Sequence, residues 1–246
     1  MRKVLLTGQD KGGSGKSLVV RATAECLPMA RLIEIETSSR LVELEDRLDF
    51  FPVRANRREI DRTGGRAARE EFDGVLNALT AATGPVVVDI GANTATSLLP
   101  LIDAAKARFA RREIVFGMLV VVTAEPGALA NAPVLLDLAR PFASALFVVE
   151  NQIENQIENP VDPKVLKALG KDVAVSRLER LSLDERANDL LQKGGLRFIG
   201  EDLTQAEDGL CERYGFAKAG RIVADLTAFR ARAMEAVASA ARWLEG

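Results

Sequence analysis

Apolar residues along the chain gather in short runs at 4–7, 32–35, 86–90, 114–123 and 145–149, with a weaker one at 173–175. Near-continuous hydrophobicity, rather than alternation, predicts strands buried on both faces, as in a parallel sheet between helical layers. Between the runs, 66–82 carries Phe72, Val75, Leu76 and Leu79 at helical spacing, and 97–110 and 127–142 read the same way. Strands alternating with helices predict an α/β, doubly wound, mostly parallel sheet with helices on both faces. In such folds ligands bind at the carboxyl ends of the strands.

The chain has 246 residues, 48% of them hydrophobic, and no low-complexity linker divides it. A single domain spanning 1–246 is expected, with C-terminal helices from about residue 201 packing on the core. In the last segment Phe229, Ala233, Val237, Ala240 and Leu244 share one helical face. That face is alanine-dominated and lacks lysine, which favours docking on the core over lying on a membrane. The tetrapeptide Asn-Gln-Ile-Glu occurs twice in tandem at 151–158; it reads as a loop insertion and has no chemical weight.

Charge narrows the chemistry. The net charge is −2, so no global basic field holds nucleic acid. Arg54, Arg57, Arg58, Arg62, Arg66 and Arg69 form a local cluster, but Glu59, Asp61 and Glu70 interrupt it and no aromatic platform accompanies it. Histidine is absent, and Cys26 and Cys211 lie far apart, which argues against disulfide, zinc and iron–sulfur frameworks. Lysine, carboxylate and Mg²⁺ are left to do the chemistry. With no signal-peptide pattern and no apolar run of membrane-spanning length, a cytoplasmic protein is expected.

The first strand leads into Asp10-Lys11-Gly12-Gly13-Ser14-Gly15-Lys16-Ser17. Glycines let successive N–H groups turn toward one anion, and a helix opening near Gly15 adds its positive end. Lys16 would reach the β- and γ-phosphates of a nucleotide, and the Ser17 hydroxyl would ligate Mg²⁺. The run 86–89 ends on Asp89, a carboxylate placed to order the metal's waters, and Gly91 follows. Glu34 and Glu36 end the second run, and alternation sets both on one side of that strand, beside the phosphate loop.

The strict phosphate-loop pattern wants glycine where Asp10 stands. With its early Lys11, this stretch resembles instead the deviant Walker A box of the ParA/MinD ATPases. The resemblance covers about residues 1–155. It implies ATP and Mg²⁺ held by Lys11, Gly12, Gly13, Ser14, Gly15, Lys16 and Ser17, with Ser17 and Asp89 toward the metal. It further implies that Lys11 crosses to the partner's nucleotide in an ATP-induced homodimer, and that Asn151 bonds the adenine edge. Lys11, Lys16 and Glu36 are then the catalytic candidates.

Where that family carries Asp-x-Asp followed by Pro-Gln, this chain has Glu34-Ile35-Glu36-Thr37-Ser38. Positioning of the attacking water is sensitive to such changes, so hydrolysis is expected to be slow or partner-stimulated. Asp89-Ile90-Gly91-Ala92-Asn93 with Leu98-Leu99-Pro100-Leu101, and Phe147-Val148-Val149-Glu150-Asn151, resemble the TraL-type nucleotide-binding proteins of conjugative plasmids. Partners implied are DNA, held non-specifically, or a partition or transfer protein. Two alternatives stay open. One is a carboxylate-activating synthetase of the dethiobiotin or cobyrinate type, whose loop Thr7-Gly8-Gln9-Asp10 resembles. The other is a nucleotide-binding scaffold that does not hydrolyse ATP.

Overall fold

The computed structural model describes residues 1–53, 66–152, 160–201 and 203–246. Its frame is a sheet of β1 (Arg2–Gly8), β2 (Arg31–Glu36), β3 (Leu48–Pro52), β4 (Val86–Ile90), β5 (Ile114–Val122), β6 (Ala143–Asn151) and β7 (Val173–Leu178). Their spatial order is β3-β2-β4-β1-β5-β6-β7, and every described neighbouring pair is parallel. The helices are α1 (Lys16–Cys26), α2 (Arg66–Ala81), α3 (Ala95–Ala110), α4 (Pro126–Ala139), α5 (Pro163–Ala168), α6 (Glu185–Glu201), α7 (Leu203–Tyr214) and α8 (Phe216–Glu245). A 3₁₀ turn at Val42–Arg47 joins β2 to β3. The architecture is the doubly wound α/β sheet expected from the run pattern.

Successive side chains of a strand point to opposite faces. Leu5, Leu119, Val121 and Val149 therefore join a core with α1 and α6 to α8, while Val4, Leu6, Val88 and Val120 join another with α2 to α4. β1 lies at the centre, between β4 and β5. Chain direction reverses its sideways progress there, so the carboxyl ends of β1 and β4 frame a crevice.

Three features depart from the pattern reading. β3 escapes it because this half-buried edge strand ends on Pro52 and lacks the unbroken apolar run of a central strand. α6 escapes it too; Gly195 breaks the helix with φ 62° and ψ −164°. α8 begins at Phe216, well ahead of the Phe229 that opens the stripe read from the sequence, because Ala219, Ile222 and Leu226 extend its buried face. The arginines at 54–62 and most of the tandem repeat lie outside the described residues.

α8 docks against the sheet through Trp243. The indole lies over Gly117 of β5, where an added Cβ would come within 2.7 Å of the ring. Lys3 Nζ donates to the Trp243 carbonyl at 2.6 Å and stands 5.4 Å from the ring centroid. Among the described residues no helix is long and apolar enough to cross a membrane.

Candidate functional site

The loop between β1 and α1 is held from beneath. Buried Gln9 donates to the carbonyls of Val121 (2.7 Å) and Ala128 (3.2 Å), and its Oε1 accepts from the Lys11 N–H at 3.2 Å. Asp10, which stands where the strict pattern has glycine, turns away from the loop. Its Oδ1 accepts the N–H of Ala95 at 3.3 Å, satisfying an otherwise orphaned donor at the start of α3. Burial is the main cause pushing the Asp10 carboxyl above its usual range.

Gly15 ends the loop at φ 81° and caps α1, its carbonyl accepting from the N–H groups of Leu18 (3.0 Å) and Val19 (3.2 Å). The Asn151 amide sits behind it. Its Nδ2 donates to the Ser14 carbonyl at 2.8 Å, and a Cβ on Gly15 would lie 2.1 Å from that nitrogen. Left-handed backbone and close approach both require glycine here. Asn151 is 3% exposed, so the end of β6 braces the loop.

Lys16, Ser17 and Asp89 come together although 72 residues separate the latter two. Parallel pairing of β1 with β4 sets Thr7 opposite Asp89, which brings the end of β4 under the first turn of α1. Lys16 Nζ forms a buried ion pair with Asp89 Oδ1, and Ser17 Oγ donates to Asp89 Oδ2 at 3.0 Å. Lys11, at the outer lip, pairs in cis with Glu125 at 3.3 Å. The other Glu125 oxygen, Oε2, is buried without a hydrogen-bond partner among the described residues. Sequence reading gives Glu125 no part. Only the adjacency of β5 to β1 reveals it.

The facing wall comes from the end of β2. Gly91 N–H donates to the Ile35 carbonyl at 2.7 Å, and a Cβ there would stand 2.5 Å from that oxygen, so glycine lets β4 and β2 close together. Glu36 lines the cleft and accepts the Thr37 N–H at 2.9 Å. Glu34 does not join it beside the glycine loop. It is fully buried and accepts from Ser39 Oγ (2.7 Å) and Arg40 N–H (2.8 Å), which folds the following turn back onto β2. Burial pushes its carboxyl above the usual range, and the neighbouring Asp89 adds to the shift.

Residues 11–17, Leu18, Arg21, Glu36, Arg40 and Ala92 enclose a cleft of about 340 Å³. It offers a glycine loop, a helix N-terminus, several cations and a hydroxyl–carboxylate pair, which together suit a polyphosphate and a hard divalent cation. A larger groove of about 610 Å³ opens at the opposite ends of β2 and β4. Its Arg31 is paired with Asp49, and Arg47 donates to the carbonyls of Leu27 and Ala24. Its charges are thus spent within the fold.

No protein-family model matches the sequence, and no curated protein matches it. Among solved structures the chain is similar to a ParA family ATPase from Chlorobium tepidum TLS, at 16% identity over 92% of this chain and 98% of that one, with a TM-score of 0.49. It is also similar to the cell-division protein MinD from Aquifex aeolicus, at 13% identity over 93% and 97%, TM-score 0.47. A third similarity is to the ATP complex of a Cyanothece McdA variant, at 14% identity over 96% of each chain, TM-score 0.48.

Proposed function

We propose that this chain is a Mg²⁺-dependent ATPase switch of the ParA/MinD type, which binds ATP in the cleft, dimerises on it and separates after hydrolysis. The observation that carries the reading is the buried meeting of Lys16, Ser17 and Asp89 beneath a glycine loop at the crevice of a parallel sheet. Lys16 would exchange Asp89 for the β- and γ-phosphates. Ser17 Oγ and the freed Asp89 carboxylate are hard oxygen donors only 3.0 Å apart, and they would hold Mg²⁺ directly and through water. When bound, that ion would neutralise charge on the phosphates. Glu36 faces the loop and would orient water, with the longer side chain making turnover slow. Asn151 supports the loop, and reading an adenine edge would require its amide to leave Ser14.

Lys11 would leave Glu125 and cross to the partner's nucleotide, so that bound ATP is itself part of the interface and stabilises the dimer by linkage. Work in DNA partition or conjugative transfer, with DNA or a partition or transfer protein as partner, is what the ParA/MinD and TraL-type resemblances imply. Light scattering after gel filtration tests the switch. Wild type is expected to pass from the 26.6 kDa monomer to twice that mass with a non-hydrolysable ATP analogue and Mg²⁺, whereas Lys11→Ala binds the analogue and stays monomeric. Nucleotide binding with no change of mass in wild type would overturn the switch.

A further inference from the structure

The turn after β2 presents an arginine to the cleft on an unusually firm backbone. The N–H of Arg40 is held by buried Glu34, while its carbonyl accepts from the Arg21 guanidinium. Arg21 is itself fixed by an ion pair with Glu43. Arg21 lies one turn beyond Ser17 on α1, so the helix that begins at the phosphate loop also fixes where Arg40 starts. The Arg40 side chain is free to reach. It is 59% exposed and lines the same cleft as the loop, and its ion pair is a loose 3.9 Å approach of Nε to Glu36 Oε2.

Other cations of the cleft are committed. Lys16 is on Asp89, Arg21 on Glu43, and Lys11 on Glu125. Among the described residues lining the cleft, Arg40 is the cation with no partner closer than 3.9 Å. A guanidinium is always charged, and its planar fork matches phosphate oxygens.

Resting on the ATPase reading above, we propose that Arg40 is a catalytic residue, a cation supplied within the chain that contacts the transferring phosphoryl group. In the step it serves, a water oxygen bonds to the γ-phosphorus. The bond from that phosphorus to the β,γ-bridging oxygen breaks, and its electron pair stays on ADP. The proton lost by the water passes to an oxygen of the departing inorganic phosphate. Negative charge spreads over the γ-phosphoryl and bridging oxygens as this happens, and a fixed cation there lowers the barrier more than it tightens ATP binding. The pinned backbone supplies the preorganisation, and the loose approach to Glu36 leaves the guanidinium beside the cleft and free to move onto phosphate.

The test compares wild type, Arg40→Ala and Arg40→Lys in Mg²⁺. A fluorescent ATP analogue reads nucleotide binding, and ADP with aluminium fluoride, a mimic of the transferring group, reads transition-state affinity. Arg40→Ala is expected to hold the ATP analogue within about threefold of wild type while losing roughly a hundredfold of the tightening that aluminium fluoride gives to ADP. Arg40→Lys should recover only a minor part, because an ammonium lacks the fork. Full tightening in Arg40→Ala with ATP still bound would overturn the role of Arg40 and leave the ATPase reading intact. So would equal loss of both ligands, which marks a plain binding group. No tightening in wild type would also overturn it, since a group supplied in cis needs no partner. If wild type binds no ATP at all, the ATPase reading fails and Arg40 with it.

Discussion

Asp89 and Glu34 stand opposite each other on neighbouring strands, 2% and 0% exposed, and the fold uses them in contrary ways. Asp89 meets a lysine and a serine hydroxyl at the mouth of the crevice. Glu34 meets a serine hydroxyl and a backbone N–H, with no paired cation among the described residues. The carboxylate chemistry and the depth are alike. What separates a candidate metal and phosphate partner from a structural strut is whether the neighbouring loop delivers a charge. Removing one member of a buried ion pair strands the other, whereas removing a hydrogen-bonded acceptor strands only dipoles.

Asp89→Ala should show the larger effect. It leaves Lys16 buried without its counterion, and a loss of about 3 kcal/mol is expected from urea unfolding of the nucleotide-free protein. The double variant Asp89→Ala/Lys16→Met should recover most of that loss. A single variant as stable as wild type would break the comparison. Glu34→Ala strands the Ser39 hydroxyl and Arg40 N–H, and should cost about 1–2 kcal/mol in the same assay.

Glu34→Gln has the smallest effect near neutrality, because the amide can accept from Arg40 and donate to Ser39. Its signature is in pH. A buried carboxyl raised above its ordinary 4.5 binds its proton more tightly folded than unfolded. Its stabilising contribution is therefore complete below about pH 4.5 and is lost as pH rises through the folded value. Stability of wild type relative to Glu34→Gln should fall over that window, measured by urea midpoints at successive pH values. Asp10 is raised by burial in the same direction, but it is common to both chains and cancels in the difference. Parallel curves would mean that Glu34 titrates normally.

Central strands are legible because burial on both faces writes itself as an unbroken apolar run, and Val86–Ile90 matches its run to the residue. β3 is not, since an edge strand with Leu48 and Phe51 only half-buried has no such run. In the site, Lys16, Ser17 and Asp89 are readable from a local loop and from a strand ending on an acid. Asn151 stands out as a strand-ending residue, but its partner, the Ser14 carbonyl, is 137 residues away and leaves no local trace. Glu125 and Arg40 stay hidden for the same reason. The first matters through the Lys11 side chain, and the second through a turn folded by Glu34 and Arg21.

The seat of Trp243 on Gly117 bears on the order of events during synthesis. β1 and its loop are made well before α8, which supplies part of the cover on the sheet face behind β1. At translation rates of about 5–20 residues per second, more than ten seconds separate the two. Throughout that interval the nascent chain lacks the α8 share of the cover on that face, and the glycine loop has neither Asp89 nor Asn151 for much of it. A ribosome stalled before residue 216 therefore presents a surface for chaperones rather than a small working version of the protein. The helix that leaves the glycine loop gains its packing against α8 only once residues beyond 216 are made.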